Sequence, residues 1–192
     1  MIRQQIARVV SRVTGWRVVG DVPRTGIVVG APHTSNWDFG AMLLVMWHGG
    51  VPPRVLVKKE LFRGPLGWLL RATGGIPIDR HNPAGLVREL VAEARGDKPF
   101  LLILAAEGTR GKTDYWKSGF YRIAEQTGMP IALAFVDGPT KTTGFGPTIT
   151  PSGDVGADMD RIRAFYADKH GIHPALKTEP RLREEARDPE AG

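Results

Sequence analysis

The stretch Gly26-Ile27-Val28-Val29-Gly30-Ala31-Pro32-His33-Thr34-Ser35-Asn36-Trp37-Asp38 decides the reading of this chain. Residues 26–30 form a short apolar run bounded by glycine, the pattern of a strand buried on both faces. The run empties into a polar segment that carries His33 and Asp38 in a His-x4-Asp spacing. An imidazole takes a proton near neutral pH when its ring is held in one tautomer, and a carboxylate on the other ring nitrogen does that holding. Five positions along a regular helix would misalign the pair. The spacing therefore predicts His33 before a first helical turn and Asp38 within it, with Ser35 or Asn36 as cap. The chain has no cysteine, so no thiolate nucleophile is available. The simplest chemistry is a base, His33, that activates a hydroxyl brought by the substrate.

Outward from this stretch, strand-like runs alternate with helical patterns. Strands are predicted at 16–19, 26–30, 54–58, 75–78, 100–105 and 131–136. Helices are predicted at 36–47, 65–72, 83–95 and 116–127. The helix from Pro83 is the clearest, with Asn82 as cap, proline in the first turn and Gly96 as stop. Residues 140–150 read as a final strand or hairpin. Residues 154–170 read as a helix burying Ile162, Phe165 and Tyr166. The alternation predicts a single α/β domain with a largely parallel, mixed sheet flanked by helices. Residues 1–15 form a basic amphipathic helix, 16–175 the α/β domain, and 176–192 a charged tail, loosely attached from Lys177.

Three predicted strands end in reactive-looking residues: His33; then Asp79 and Arg80; then Glu107, Gly108, Thr109 and Arg110. Parallel strands would bring all three clusters to one crevice, because open α/β sheets bind ligands beyond the carboxyl ends of their strands. Asp38 would orient His33 and stabilise its imidazolium. Arg80 and Arg110 suit a phosphate, since a guanidinium fork matches two of its oxygens. Gly108 lets the backbone approach an anion, Thr109 offers a hydroxyl, and Lys112 and Lys117 add positive field. Glu107 is expected to position Arg110 or a substrate hydroxyl. His48, His81, His170 and His173 are given no role, and no spacing reads as a metal site. Trp37, Trp47 and Trp68 read as packing or membrane-facing residues.

The 192 residues carry 26 basic and 20 acidic side chains, a net charge of +6. Such a surplus attracts an anionic partner. The first 20 residues hold Arg3, Arg8, Arg12 and Arg17 and no acid, beside Ile2, Ile6, Val9, Val10 and Val13 at helical spacing. Two readings fit this helix. It lies in the headgroup plane of an anionic bilayer, or it packs its valine face on the domain core. Nucleic acid is not expected, because no aromatic platform accompanies the charge. No run approaches the roughly 18 apolar residues of a membrane span. No secretory signal is expected, and the lack of cysteine fits a reducing compartment.

In order, His33-x4-Asp38, Gly75-Ile76-Pro77-Ile78-Asp79-Arg80, Glu107-Gly108-Thr109-Arg110 and Met129-Pro130-Ile131 resemble the four motif blocks of the glycerophospholipid acyltransferases. The blocks span about residues 32–134. The resemblance implies a glycerol-3-phosphate acyltransferase-like fold and transfer of a fatty acyl group in phospholipid biosynthesis. The donor would be acyl-CoA or acyl-carrier protein, as co-substrate without a further cofactor. The acceptor would be the hydroxyl of a lysophospholipid, 1-acyl-glycerol-3-phosphate first among them. Carried over by position, His33 resembles the base and Asp38 its partner. Arg80, Glu107, Gly108, Thr109, Arg110 and Lys117 resemble acceptor and phosphate ligands, with Gly119 completing a Lys-x-Gly. The implied location is cytoplasmic, peripheral on the inner face of the plasma membrane. Departures fall at Ala105 and Ala106, where the family carries Phe-Pro, at Pro77 in place of an aromatic residue, and at Leu133 in place of a proline. These positions shape the pocket and leave the His33–Asp38 pair intact.

Overall fold

A computed structural model of the protein describes residues 2–51, 55–78, 83–94 and 100–186. In chain order the elements are α1 (Ile2–Thr14), β1 (Arg17–Val19), β2 (Gly26–Ala31), α2 (Trp37–Gly49), β3 (Val55–Lys58), α3 (Gly64–Ala72) and β4 (Gly75–Ile78). They continue with α4 (Pro83–Ala94), β5 (Leu101–Leu104), α5 (Gly119–Thr127), β6 (Ile131–Asp137), β7 (Thr142–Ile149) and α6 (Val155–Tyr166). Short 3-10 turns lie at Lys59–Leu61, Pro174–Leu176 and Arg183–Ala186.

The strands form one mixed sheet in the order β1-β7-β6-β2-β5-β3-β4. The five strands β6, β2, β5, β3 and β4 run parallel, and β7 returns antiparallel to β6. Residues 142–149 are thus the second strand of a hairpin with β6. The strand order moves outward from β2 to β3 to β4, then back through β5 to β6. Right-handed crossovers therefore place α2 and α3 on one face of the sheet and α4 and α5 on the other.

Both faces of β2 are buried, which explains its uninterrupted apolar run. Ile27 and Val29 meet Leu90, Phe120, Ile123, Met159, Ile162 and Tyr166 of the α4, α5 and α6 side. Val28 turns the opposite way, toward Val45 and Met46 of α2. The Tyr166 hydroxyl, 2.8 Å from the Val29 carbonyl oxygen and 2.9 Å from that of Ala134, fastens α6 to the adjacent strands β2 and β6.

Several boundaries differ from the sequence reading. The helix predicted from 116 begins at Gly119, because Trp116 is buried ahead of it and donates its main-chain N–H to the Arg181 carbonyl at 2.7 Å. The helix predicted to 170 ends at Tyr166. The Lys177 ammonium caps its last carbonyls, those of Tyr166 and Ala167, at 2.7 and 2.9 Å. The chain then turns to bridge Gly171 to Asp137. The end from Lys177 is not loosely attached over residues 177–186. Leu182 is buried in the core, and Glu185 pairs with Arg163 at 2.6 Å. Arg54, Asp79, Arg80, His81, Asn82, Arg95 and Gly96 lie outside the described residues.

The valine face of α1 does not pack on the core. Gln4, Ala7 and Ser11 form the inward stripe, with Ala7 fully buried and the Gln4 amide 3.5 Å from the His48 carbonyl of α2. Ile2, Ile6, Val9, Val10 and Val13 face away, with Val9 61% and Val13 79% exposed. Among the described residues no helix is long and apolar enough to cross a membrane.

Candidate active site

The carboxyl ends of β2 and β5 lie side by side, since the two strands pair in parallel register. The chain leaves β2 through a cis Ala31–Pro32 bond and reaches His33 three residues before the cap position, Asn36, of α2. Asp38 sits in the first helical turn. Its Oδ2 lies 3.0 Å from His33 Nδ1 and accepts the main-chain N–H groups of Thr34 and Ser35, each at 2.8 Å. A carboxylate accepts only, so the contact selects the form in which His33 Nδ1 donates, and Nε2 is the ring nitrogen that Asp38 does not engage. Asp38 is almost fully buried and His33 about 29% exposed. The acid is shielded while the ring reaches solvent. Asn36 makes no side-chain cap bond; the Ser35 hydroxyl accepts the Trp37 N–H at 3.2 Å instead.

From the neighbouring strand, Ala105 to Arg110 form the second wall. Gly108 adopts a left-handed φ of +68°, and a Cβ there would press on the Lys117 side chain at 3.3 Å. The Lys117 N–H donates to the Ala106 carbonyl at 2.7 Å, which pins this loop to the entry of α5. Thr109, Arg110, Lys112 and Lys117 are exposed. Arg110 and Lys117 make no ion pair among the described residues, so their charge is available at the edge.

Glu107 is placed differently from its neighbours. It is 2% exposed, and its Oε1 accepts the His33 main-chain N–H at 2.9 Å. Among the described residues it makes no contact with Arg110; it lies beneath the loop that carries the histidine. Burial raises its pKa to about 7, against the lowering effect of hydrogen bonds to the His33 N–H and its own backbone N–H. Arg80 lies outside the described residues. The strand before it, β4, ends at the same edge, three strand spacings or about 14 Å from β2.

Sequence reasoning missed a third wall. Asp137 ends β6, next to β2, and its Oδ1 accepts the His170 N–H at 3.0 Å. Burial pushes this carboxyl up, but bonds from the Thr140 hydroxyl and from His170 outweigh it and hold it below the usual carboxylate range. The adjoining Gly171 lies so close to the Thr34 hydroxyl that a Cβ would sit 2.7 Å from it, and the His173 N–H donates to that hydroxyl at 3.0 Å. The signal in the sequence is the glycine in His170-Gly171-Ile172-His173, the residue type that such close approach requires.

The fold and this edge define a class first: an α/β protein that presents a histidine–carboxylate pair and a basic, glycine-containing loop at the ends of adjacent parallel strands. The chain belongs to the acyltransferase family, whose model, described as Acyltransferase, matches residues 15–134. It is 30% identical over 118 residues to the 1-acyl-sn-glycerol-3-phosphate acyltransferase of Streptococcus pneumoniae, a match covering 59% of this chain and 42% of that enzyme. Its fold is similar to the crystal structure of the 1-acyl-sn-glycerophosphate acyltransferase of Thermotoga maritima. The TM-score is 0.54 and the identity 20%, over 79% of this chain and 68% of the other.

Proposed function

We propose that the protein transfers a fatty acyl group from a thioester, acyl-CoA or acyl-carrier protein, to the hydroxyl of a lysophospholipid. 1-Acyl-glycerol-3-phosphate is the first candidate acceptor, and phospholipid biosynthesis the setting. The observation that carries the reading is the His33–Asp38 pair, with Nδ1 held by the carboxylate and Nε2 without a hydrogen-bond partner among the described residues. In the proposed step, Nε2 takes the acceptor hydroxyl proton as that oxygen bonds to the thioester carbonyl carbon. The tetrahedral intermediate then expels the thiolate, and the imidazolium returns the proton to it. Asp38 stabilises the imidazolium as it forms. Arg110 and Lys117 supply positive charge for the acceptor phosphate, and Arg80 follows a strand that ends at the same edge.

Backbone N–H groups at the start of α2 are natural donors to the oxyanion of the tetrahedral intermediate, and five of them already have acceptors. The N–H groups of Thr34 and Ser35 serve Asp38, and those of Trp37, Asp38 and Phe39 bond within the turn.

The partner surface proposed with this activity is an anionic membrane, on the inner face of the plasma membrane. The outward stripe of α1 supports it, because Arg3, Arg8 and Arg12 flank exposed isoleucine and valine. The test is CoA release from acyl-CoA with and without a panel of lysophospholipids, glycolipids and aminolipids. The reading expects release that depends on a lysophospholipid. Equal release without any acceptor identifies a thioesterase and sinks it.

A further inference from the structure

We propose that Glu107 is a positioning residue for His33: its carboxyl, bonded to the His33 main-chain N–H, holds the loop after β2 and the loop after β5 in one geometry. The proposal rests on His33 as the base of acyl transfer and gives Glu107 a place different from that of an acceptor ligand. Three observations carry it. Glu107 is 2% exposed, whereas Thr109 and Arg110 of the same loop are exposed, so the carboxyl faces the interior and not the crevice. Its Oε1 reaches the backbone of His33 itself, at 2.9 Å. The segment that projects it is fixed on either side, by Lys117 N–H to Ala106 carbonyl at 2.7 Å and by Gly108 N–H to Ala105 carbonyl at 3.2 Å.

The groups whose charge reaches this carboxyl are His33 and Asp38 from the β2–α2 loop and Tyr166 from α6. Among the described residues, buried Oε2 has no hydrogen-bond partner, and neither has Oδ1 of Asp38. Burial keeps the Glu107 proton on up to about pH 7. In that state Oε1 still accepts the His33 N–H as a carbonyl oxygen. Above it, a second negative charge joins Asp38 beside the imidazole. A neutral amide reproduces the first state and never enters the second.

The experiment measures kcat and acceptor KM between pH 5.5 and 9 for the wild type, Glu107→Gln and Glu107→Ala, with acyl-CoA and lysophosphatidic acid. Folding is followed by circular dichroism. The expected result is a kcat loss of about tenfold or more in the alanine variant with acceptor KM nearly unchanged, since small misplacement of a reacting group is costly. The glutamine variant is expected to recover most of that loss and to lack the wild-type inflection near pH 7. A raised acceptor KM with kcat intact in both variants makes Glu107 an acceptor ligand and overturns the proposal. If the alanine variant does not fold, superimposable pH profiles of wild type and glutamine variant overturn it. If the wild type acylates no lysolipid, the activity reading fails alone. The imidazole NMR signals of His33 then decide: a titration step present in wild type and absent in Glu107→Gln supports the proposal, and identical curves reject it.

Discussion

The two helical layers of this protein treat apolar surface in opposite ways. On the side of α4, α5 and α6, the residues Leu90, Phe120, Ile123, Met159 and Ile162 are all buried. Among the side chains described there, the three helices expose no large apolar one. On the side of α1, α2 and α3, large apolar residues face solvent. They include Ile2, Val9 and Val13 of α1, Trp37 at the start of α2, and Leu66, Trp68 and Leu69 of α3, with Trp37 and Trp68 more than 70% exposed. One layer is a closed core. The other leaves apolar side chains in solvent beside basic ones, and large exposed apolar patches with a basic margin mark sites of association. The His33–Asp38 pair sits at the seam, on the segment that leads from the closed sheet into α2.

Four changes break or sharpen this contrast. The largest effect is expected from His33→Ala, which should cut acyl transfer between about 10² and 10⁴-fold, with melting temperature and vesicle binding unchanged. Normal turnover in that variant would remove the base from the mechanism. Next, Ile162→Ala in the closed layer should cost about 2–5 kcal/mol in denaturant unfolding. Val13→Ala in the open layer should change stability by less than about 0.5 kcal/mol and weaken vesicle binding instead. Equal destabilisation by the two would mean that α1 is an ordinary core helix.

A third change concerns charge. Replacing Arg3, Arg8 and Arg12 by glutamine removes about 1 kcal/mol of attraction per side chain at an anionic surface, so flotation with anionic vesicles should fall roughly a hundredfold. Binding to neutral vesicles should be little altered. The fourth is the dependence of stability on pH. Glu107 has a folded pKa of about 7 against an ordinary value of 4.5. The native state therefore holds a proton that the unfolded chain has released, and stability falls as pH rises between these values. The loss is on the order of 3 kcal/mol, complete above about pH 7. Chemical denaturation of Glu107→Gln should lack this decline, and a parallel decline in both proteins would show that the carboxyl is not buried in the folded state.

Much of the fold was legible because the parallel strands carry short apolar runs that alternate with helical patterns. The run at residues 26–30 and the helix from Pro83 are the clearest cases. Legibility failed where distant contacts decide. Trp116 looked helical by pattern, yet its N–H is taken by Arg181, 65 positions on. Residues 177–186 looked like a solvated tail by charge, yet Arg163 and the core hold them. In the site, the placement of His33 before the turn and Asp38 within it followed from spacing alone. The burial of Glu107 did not, because local sequence does not tell which side of a loop a carboxyl takes. The third wall was hidden for a similar reason, since Asp137 and His170 meet only through the sheet.

The fastening of the final described residues has a practical consequence. Trp116 leans on the Arg181 carbonyl, and the next residue, Lys117, anchors the loop of Gly108 and Arg110. A truncation that stops short of Arg181 would release Trp116 from this hold and let the loop of Gly108 and Arg110 drift. Such a protein could pass a solubility screen and still score as inactive, so fusion tags and shortened versions should leave residues 178–186 in place.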